Sequence, residues 1–285
     1  MEILAALAVL TLIKATPLIY AALGGVVSER SGVINIGLEG MMATGAFTAV
    51  AVSYTTHAPL LGLLAGIAGG AIAGYVLAVA ATRFKVDQIV AGTGINLICA
   101  GGAAYGLVLI FKQPGTSTQV DALGPHYWLL VVLAFACALG LHWLFYRTAW
   151  GLRMRATGEN PHAVKSAGLD PLRLRLYAVT ASGALAGLGG AFLSIGELNL
   201  YSDGMTAGRG FIALAAVIFG RWTPFGATGA AIVFGFFEAL QFIAQGKIDW
   251  LPPDAMTALP YVAALVALAG ITGKVRAPAA DGTPF

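Results

Sequence analysis

Charge is the scarcest property of this chain. Only 10% of its 285 residues are Asp, Glu, Lys or Arg, where a soluble domain carries about 25%. So little charge cannot cover a water-facing surface, which excludes an ordinary soluble enzyme or binding domain. Histidine and cysteine are almost as scarce. His57, His126, His142 and His162 are dispersed without metal-ligand spacing, so no metal site is expected. Cys99 and Cys137 both lie in apolar segments and read as small buried hydrophobes rather than a disulfide framework. No G-x-x-x-x-G-K-[S/T] phosphate loop occurs, since the GITGK string at 270–274 has the wrong spacing. No nucleophile elbow or paired-carboxylate arrangement is readable. The expectation is a chain with no catalytic residues and no cofactor of its own. Glu2 stands where a leader would carry positive charge, and no small-residue cleavage site follows, so no removable leader is expected.

What the chain has in abundance is apolar surface. The hydrophobic fraction is 58% and the mean hydropathy +0.83. A membrane span needs about 20 mostly apolar residues, and segments of that kind fall at 3–27, 33–54, 59–82, 86–111, 127–146, 176–196, 225–245 and 257–272. A shorter piece lies at 208–220. The predicted fold class is all-α: one polytopic membrane helix bundle over 1–285, with about nine crossings. The 208–220 piece is short or broken, which a membrane tolerates only where the backbone is buried in protein or lines a cavity. Glycine is plentiful, 38 residues of 285, nearly twice the usual share of about 7%. Gly62, Gly66, Gly70 and Gly74 recur every four residues, a smooth face for close helix packing. Trp128, Trp143 and Trp222 sit at span ends and read as interfacial anchors.

The basic residues are unevenly placed. The loop at 147–175, RTAWGLRMRATGENPHAVKSAGLDPLRLR, holds Arg147, Arg153, Arg155, Lys165, Arg173 and Arg175 against only Glu159 and Asp170. Basic loops lie on the cytoplasmic side. With nine crossings, alternation puts Arg30, Arg83, Lys85, Arg221, Lys274 and Arg276 on that same side, leaving Lys112 and Lys247 outside. The N-terminus is then outside and the C-terminus cytoplasmic. The APAADGTPF string at 277–285 reads as a short disordered tail.

Inside the loop is a helix with its own start and stop. Asn160 is a good N-cap and Pro161 suits the first helical position. Gly168 supplies the left-handed residue that ends a helix, and Pro171 forbids continuation. The helix, 161–167, is too short to persist in water unless it packs on something. It either lies on its own bundle or docks a cytoplasmic partner.

This loop and the start of the next span resemble the coupling loop of permease subunits of ABC importers, the group serving branched-chain amino acids, simple sugars and nucleosides. A second stretch, PLIYAALGGVVSERSGVINIGLEGMMATGAF at 17–47, is similar to the N-terminal signature of the same family. A third, GRGFIALAAVIFGRWTPFGATGAAIVFG at 208–235, resembles its late helix pair. The Asn35-Ile36-Gly37-Leu38-Glu39-Gly40 string looks most like the nucleoside subgroup, with simple sugars such as pentoses as the alternative. The resemblance implies that Arg155, Ala156, Gly158, Asn160, Pro161, His162, Ala163 and Gly168 couple the chain to a cytoplasmic ATPase. That partner would bind the ATP and Mg. It also implies a second permease subunit, different or identical, and an extracytoplasmic substrate-binding protein. The location implied is the bacterial inner membrane, with lipid and not nucleic acid as surroundings.

Ionisable groups within apolar segments are costly and default to function. Asn35 and Glu39 stand four apart, on one face of the predicted second span, with Asn96 mid-span in the fourth. Glu39 reads equally as a pathway or gate residue and as a clamp on backbone or a basic neighbour. Asn96 reads as a pathway residue or an interhelical hydrogen bond. Glu238 reads as a partner for Lys14 or Arg209, and Lys14 is also placed to snorkel. From another class, Glu39 and Glu238 would be the cation sites of an ion-coupled secondary transporter, with 208–220 its discontinuous helix.

Overall fold

The computed structural model describes residues 2–121, 123–244, 258, 262, 276–283 and 285. Apart from one isolated bridge between Thr116 and Ser202, regular structure among them is helical. The helices are α1 (Glu2–Glu29), α2 (Leu38–Thr56), α3 (Pro59–Thr82), α4 (Gln88–Phe111), α5 (Tyr127–Arg147), α6 (Ala149–Glu159), α7 (Pro161–Ser166), α8 (Pro171–Ala191), α9 (Arg209–Phe219) and α10 (Pro224–Ala244). A π-helical turn, Phe192–Leu198, extends α8.

Six of these are long and apolar enough to cross a membrane: α1, α3, α4, α5, α8 and α10. The chain is a multi-pass membrane protein, but nine crossings are not supported. At 11 residues, α9 reaches about 16 Å, half of the roughly 30 Å of hydrocarbon. The 19-residue α2 is long enough but carries Glu39, Thr44, Thr48 and Ser53 and is largely enclosed by the bundle, so it needs no lipid-compatible surface. The predicted span at 257–272 lies outside the described residues.

Hydrogen bonds between connections fix which ends meet. The Arg30 Nε donates to Trp222 O at 2.7 Å, Ile34 N to Gln88 Oε1 at 2.7 Å, and Ala280 N to Gly158 O at 2.8 Å. The connections at 30–37, 83–88, 147–170, 220–224 and 276–283 therefore share one end of the bundle, the α7 end. At the other end Ser117 N donates to Tyr201 O and Leu123 N to Ile195 O. Four helices starting at the α7 end open on side-chain caps: Asp87 for α4, Thr148 for α6, Asn160 for α7 and Asp170 for α8. Each satisfies first-turn N–H groups that no preceding carbonyl can reach.

The core lies around α8, where 78% of the apolar window is buried, against 22% for α4 and 28% for α5. The glycine face of α3 packs here. A Cβ added to Gly70 would stand 2.3 Å from Gly183 O, and one added to Gly183 would stand 2.3 Å from Gly70 O. Only hydrogen at both positions lets the two backbones meet, a contact by which helices associate in lipid.

Two further expectations fail. Trp222 is not an interfacial anchor: it is buried, and its indole N–H donates to Glu29. The 276–283 stretch is not a disordered tail, because Arg175 holds it. Arg175 is 2% exposed, and its guanidinium donates to Ser31 O at 3.2 Å, Thr283 O at 2.8 Å and Ala280 O at 3.2 Å.

Candidate functional site

The 147–175 stretch folds into two short helices, α6 and α7, before α8 begins at Pro171, where the sequence suggested one short helix. The Oδ1 of Asn160 accepts the Ala163 N–H at 3.1 Å, and Gly168, at φ +80°, closes α7. There Gly168 N donates to Lys165 O and Leu169 N to Val164 O, a Schellman ending. Pro161 and Val164 face inward, while His162, Ala163, Ser166 and Gly168 are exposed. The residues that the resemblance assigned to coupling thus divide into two sets. Gly158 builds the seat, since a Cβ there would stand 2.3 Å from Arg30 O, and Pro161 is buried against it. Ala156 is half-buried, and Arg155 is turned onto the Tyr146 ring at 4.9 Å. His162, Ala163 and Gly168 form the presented face, and Asn160 fixes its start.

The Phe285 ring lies against this face, edge-on to His162 at 4.9 Å and beneath the Lys165 ammonium at 5.8 Å. Sequence reasoning missed Arg175, which ties the same tail to the turn before α2. Two residues away, Arg173 is exposed and makes an ordinary surface pair with Asp170 at 3.1 Å. Nothing in the local pattern distinguishes the two arginines.

The second group of candidates gathers where α2 begins. Helix α2 starts at Leu38, not near 33, so Asn35 lies in an irregular turn and does not share a helical face with Glu39. Gly32 at φ +90° turns the chain, and side chains from elsewhere satisfy the exposed backbone. Asn96, on α4, donates to Ile36 O at 3.0 Å and accepts Gly40 N–H at 2.8 Å. Fully buried Asn35 donates to Ser182 Oγ at 2.8 Å. Glu39 spans to α9, its two carboxylate oxygens accepting Gly208 N–H at 2.8 Å and Gly210 N–H at 2.6 Å. A Cβ on Gly210 would stand 2.4 Å from Glu39 N, so glycine is what admits the carboxylate. An anion at a helix N-terminus satisfies its orphan donors and its dipole together. That is how a half-length helix can begin inside the bundle.

The remaining intramembrane charges pair. Arg209 pairs with Glu238, and also donates to Met205 O at 3.0 Å. Lys14 pairs instead with Glu197 in the π-helical turn, a partner that the sequence did not suggest.

Between α2, α4 and the 199–208 segment lies a cavity of about 280 Å³. Its lining includes Glu39, Ala43, Asn96, Ala100, Tyr201, Asp203 and Thr206. Asn96 and Ala100 are eight and twelve residues from the start of α4, about 12–18 Å along its axis, which sets the cavity near the middle of the bundle. Asn35 does not line it.

The family described as "Branched-chain amino acid transport system / permease component" matches residues 7–269. The guanosine ABC transporter permease protein NupQ of Bacillus subtilis (strain 168) is 37% identical, covering 100% of this chain and 97% of its own length. The nucleoside ABC transporter permease protein NupC of Lactococcus lactis subsp. cremoris is 35% identical, covering 96% and 94%. The putative glucose ABC transporter permease protein TsgC13 of Haloferax volcanii is 34% identical, covering 86% and 79%. With a family match over most of its length and full-length relatives above 30% identity, the chain belongs to this family of ABC transporter permease components.

Proposed function

We propose that this chain is the transmembrane permease subunit of an ATP-driven nucleoside importer. The observation that carries the reading is α7: a six-residue helix, capped at both ends, seated on Gly158 and Pro161, with one face exposed beside the Phe285 ring at the end of the bundle. Too short to stand alone, it is held rigidly, as a lever for an outside force must be. A cytoplasmic ATPase docks there, and ATP and Mg belong to that partner. The α7 end also gathers Arg30, Arg83, Arg147, Arg153, Lys165 and Arg221, and the positive-inside rule makes it cytoplasmic in a bacterial inner membrane. The N-terminus is then outside. The sparsely buried α4 and α5 offer a flank to a second permease subunit, and a binding protein delivers cargo to the opposite end. Full-length similarity to guanosine and nucleoside permeases supports nucleosides as the cargo.

Movement of α7 has a short path to the cavity. Gly158 bears on the Arg30–Gly32 turn, that turn leads into α2, and Glu39 on α2 holds the start of α9. Closure of the ATPase would push this chain of contacts and switch which side of the cavity opens.

The test is co-purification and reconstitution. Asn160→Ala combined with Gly168→Val should abolish ATPase co-purification while the bundle still elutes as a folded species. Valine is strained at the left-handed φ of Gly168. Wild-type chain reconstituted alone should not take up guanosine. Uptake by the chain alone, driven by an ion gradient, would establish a secondary transporter instead.

A further inference from the structure

We propose that the mid-bundle cavity is a subsite for a neutral ligand carrying vicinal hydroxyls, the ribose of a nucleoside, with Asp203 accepting from the diol. This rests on the importer reading and extends it to a place and a chemistry. The lining falls into two sets. Glu39 spends both oxygens on the Gly208 and Gly210 N–H groups, and Asn96 spends both ends of its amide on Ile36 O and Gly40 N. These two build the wall, each with half of its bonding capacity already committed to backbone. Tyr201, Asp203 and Thr206 are different: each lines the cavity, and none has a side-chain hydrogen bond among the described residues. Tyr201 is 1% exposed and Thr206 4% exposed, so their hydroxyls lie within the protein with bonding capacity to spare. Tyr201 is held in place by an edge-on contact with Phe47 at 5.5 Å between ring centres. The backbone beneath Asp203 is pinned as well, its N–H donating to Gly115 O at 2.7 Å.

The chemistry of that set is selective. A carboxylate only accepts, and it takes two donors side by side, whereas Tyr and Thr hydroxyls both donate and accept. A vicinal diol matches this pattern, with two O–H groups for Asp203 and two oxygens for Tyr201 and Thr206. A phosphate does not. The described lining residues include two carboxyl groups, Glu39 and Asp203, and no cation, so a nucleotide would bring its phosphate against groups of its own sign. The walls left over, Ala43 and Ala100 among them, are small and apolar and leave room for a flat ring. A volume of about 280 Å³ is at the small end of ligand sites, about 300–1,000 Å³, which suits a single sugar-sized moiety. Sites built on hydroxyl-directed bonds reject analogues lacking the hydroxyl far better than apolar pockets reject a missing methylene.

The experiment uses the assembled importer in detergent, with Ala207→Cys as a reporter on the cavity lining and Cys99 and Cys137 replaced by Ser. Maleimide labelling of residue 207 is followed with guanosine, 2′,3′-dideoxyguanosine or guanosine 5′-monophosphate present. Guanosine at about ten times its dissociation constant should slow labelling about tenfold, the factor that site occupancy imposes, and the other two should not. Adding Asp203→Ala or, as a milder change, Tyr201→Phe should remove the protection. Equal labelling with and without guanosine, or equal protection by all three compounds, would overturn the subsite. ATPase content is read in the same preparations: its absence from the wild-type complex would defeat the importer reading, while guanosine protection would still support the subsite.

Discussion

Helices α7 and α9 are both short, and they are stabilised in opposite ways. Helix α7 is capped from within, by Asn160 at its start and Gly168 at its end. Helix α9 is capped from far away, by Glu39, which lies 169 residues before Gly208 in the chain. The difference follows from surroundings. At the exposed α7 end water satisfies whatever backbone the cap leaves free. Inside an apolar bundle every N–H needs a protein partner, and a charged partner must find charge compensation, which the α9 terminus supplies. A local cap makes a helix that can be presented to a partner; a remote cap makes a joint between two parts of the bundle.

The comparison predicts a ranking of damage. Of these changes Glu39→Ala should be the most harmful, since it strands two partly buried N–H groups that had charge-assisted bonds, a loss of about 3 kcal/mol. Thermal unfolding in detergent should show a large drop in stability for Glu39→Ala. Glu39→Gln keeps one acceptor and should recover about half of it. Asn96→Ala should follow at about 2 kcal/mol, because it removes two neutral bonds at the start of α2. If Asn96→Ala harmed stability more than Glu39→Ala, the carboxylate would not be the principal clamp on α9.

Legibility in the sequence follows the same division. The capped helix at α7 was readable because its start and stop lie within nine residues, and the glycine face of α3 because its period is that of a helix. The six long apolar helices were readable from composition alone. The joint was not. Glu39 showed only as a costly charge with two equal readings, since its partners at 208 and 210 are fixed by tertiary contact. Asn35 was misplaced on a helix because no sequence signal announced that 33–37 is unwound; side chains of Asn96, Gln88 and Ser182 make that turn possible. Arg175 looked like one more positive charge, and the pairing of Lys14 with Glu197 depends on a π-helical turn that composition does not encode.

On the α7 side the expected effects are smaller and local. Asn160→Ala should cost about 1 kcal/mol in the helix itself and leave the unfolding temperature of the bundle nearly unchanged. Reduced ATPase co-purification should be its main readout. Asn160→Asp, an equally good cap, should restore it. A global destabilisation matching that of Glu39→Ala would erase the distinction between a presented helix and a joint.

The smallest effect concerns the segment that lies over α7, and it depends on pH. Burial pushes the Asp281 carboxyl up from its ordinary value to about 7, against the opposing pull of the Arg175 guanidinium and the Gly282 N–H. A carboxyl whose value is raised on docking binds its proton more tightly when docked. Docking of 276–283 is then strongest below the ordinary carboxylate range and weakens as pH rises through about 7. Hydrogen exchange at Ala280, whose N–H is given to Gly158 O, should show protection falling between pH 5 and pH 8 once the intrinsic exchange rate is removed. Asp281→Asn should hold that protection level across the range, because the amide has no proton to lose. Protection that instead rose with pH would mean that the Arg175 attraction outweighs burial, and that the segment is held by an ion pair.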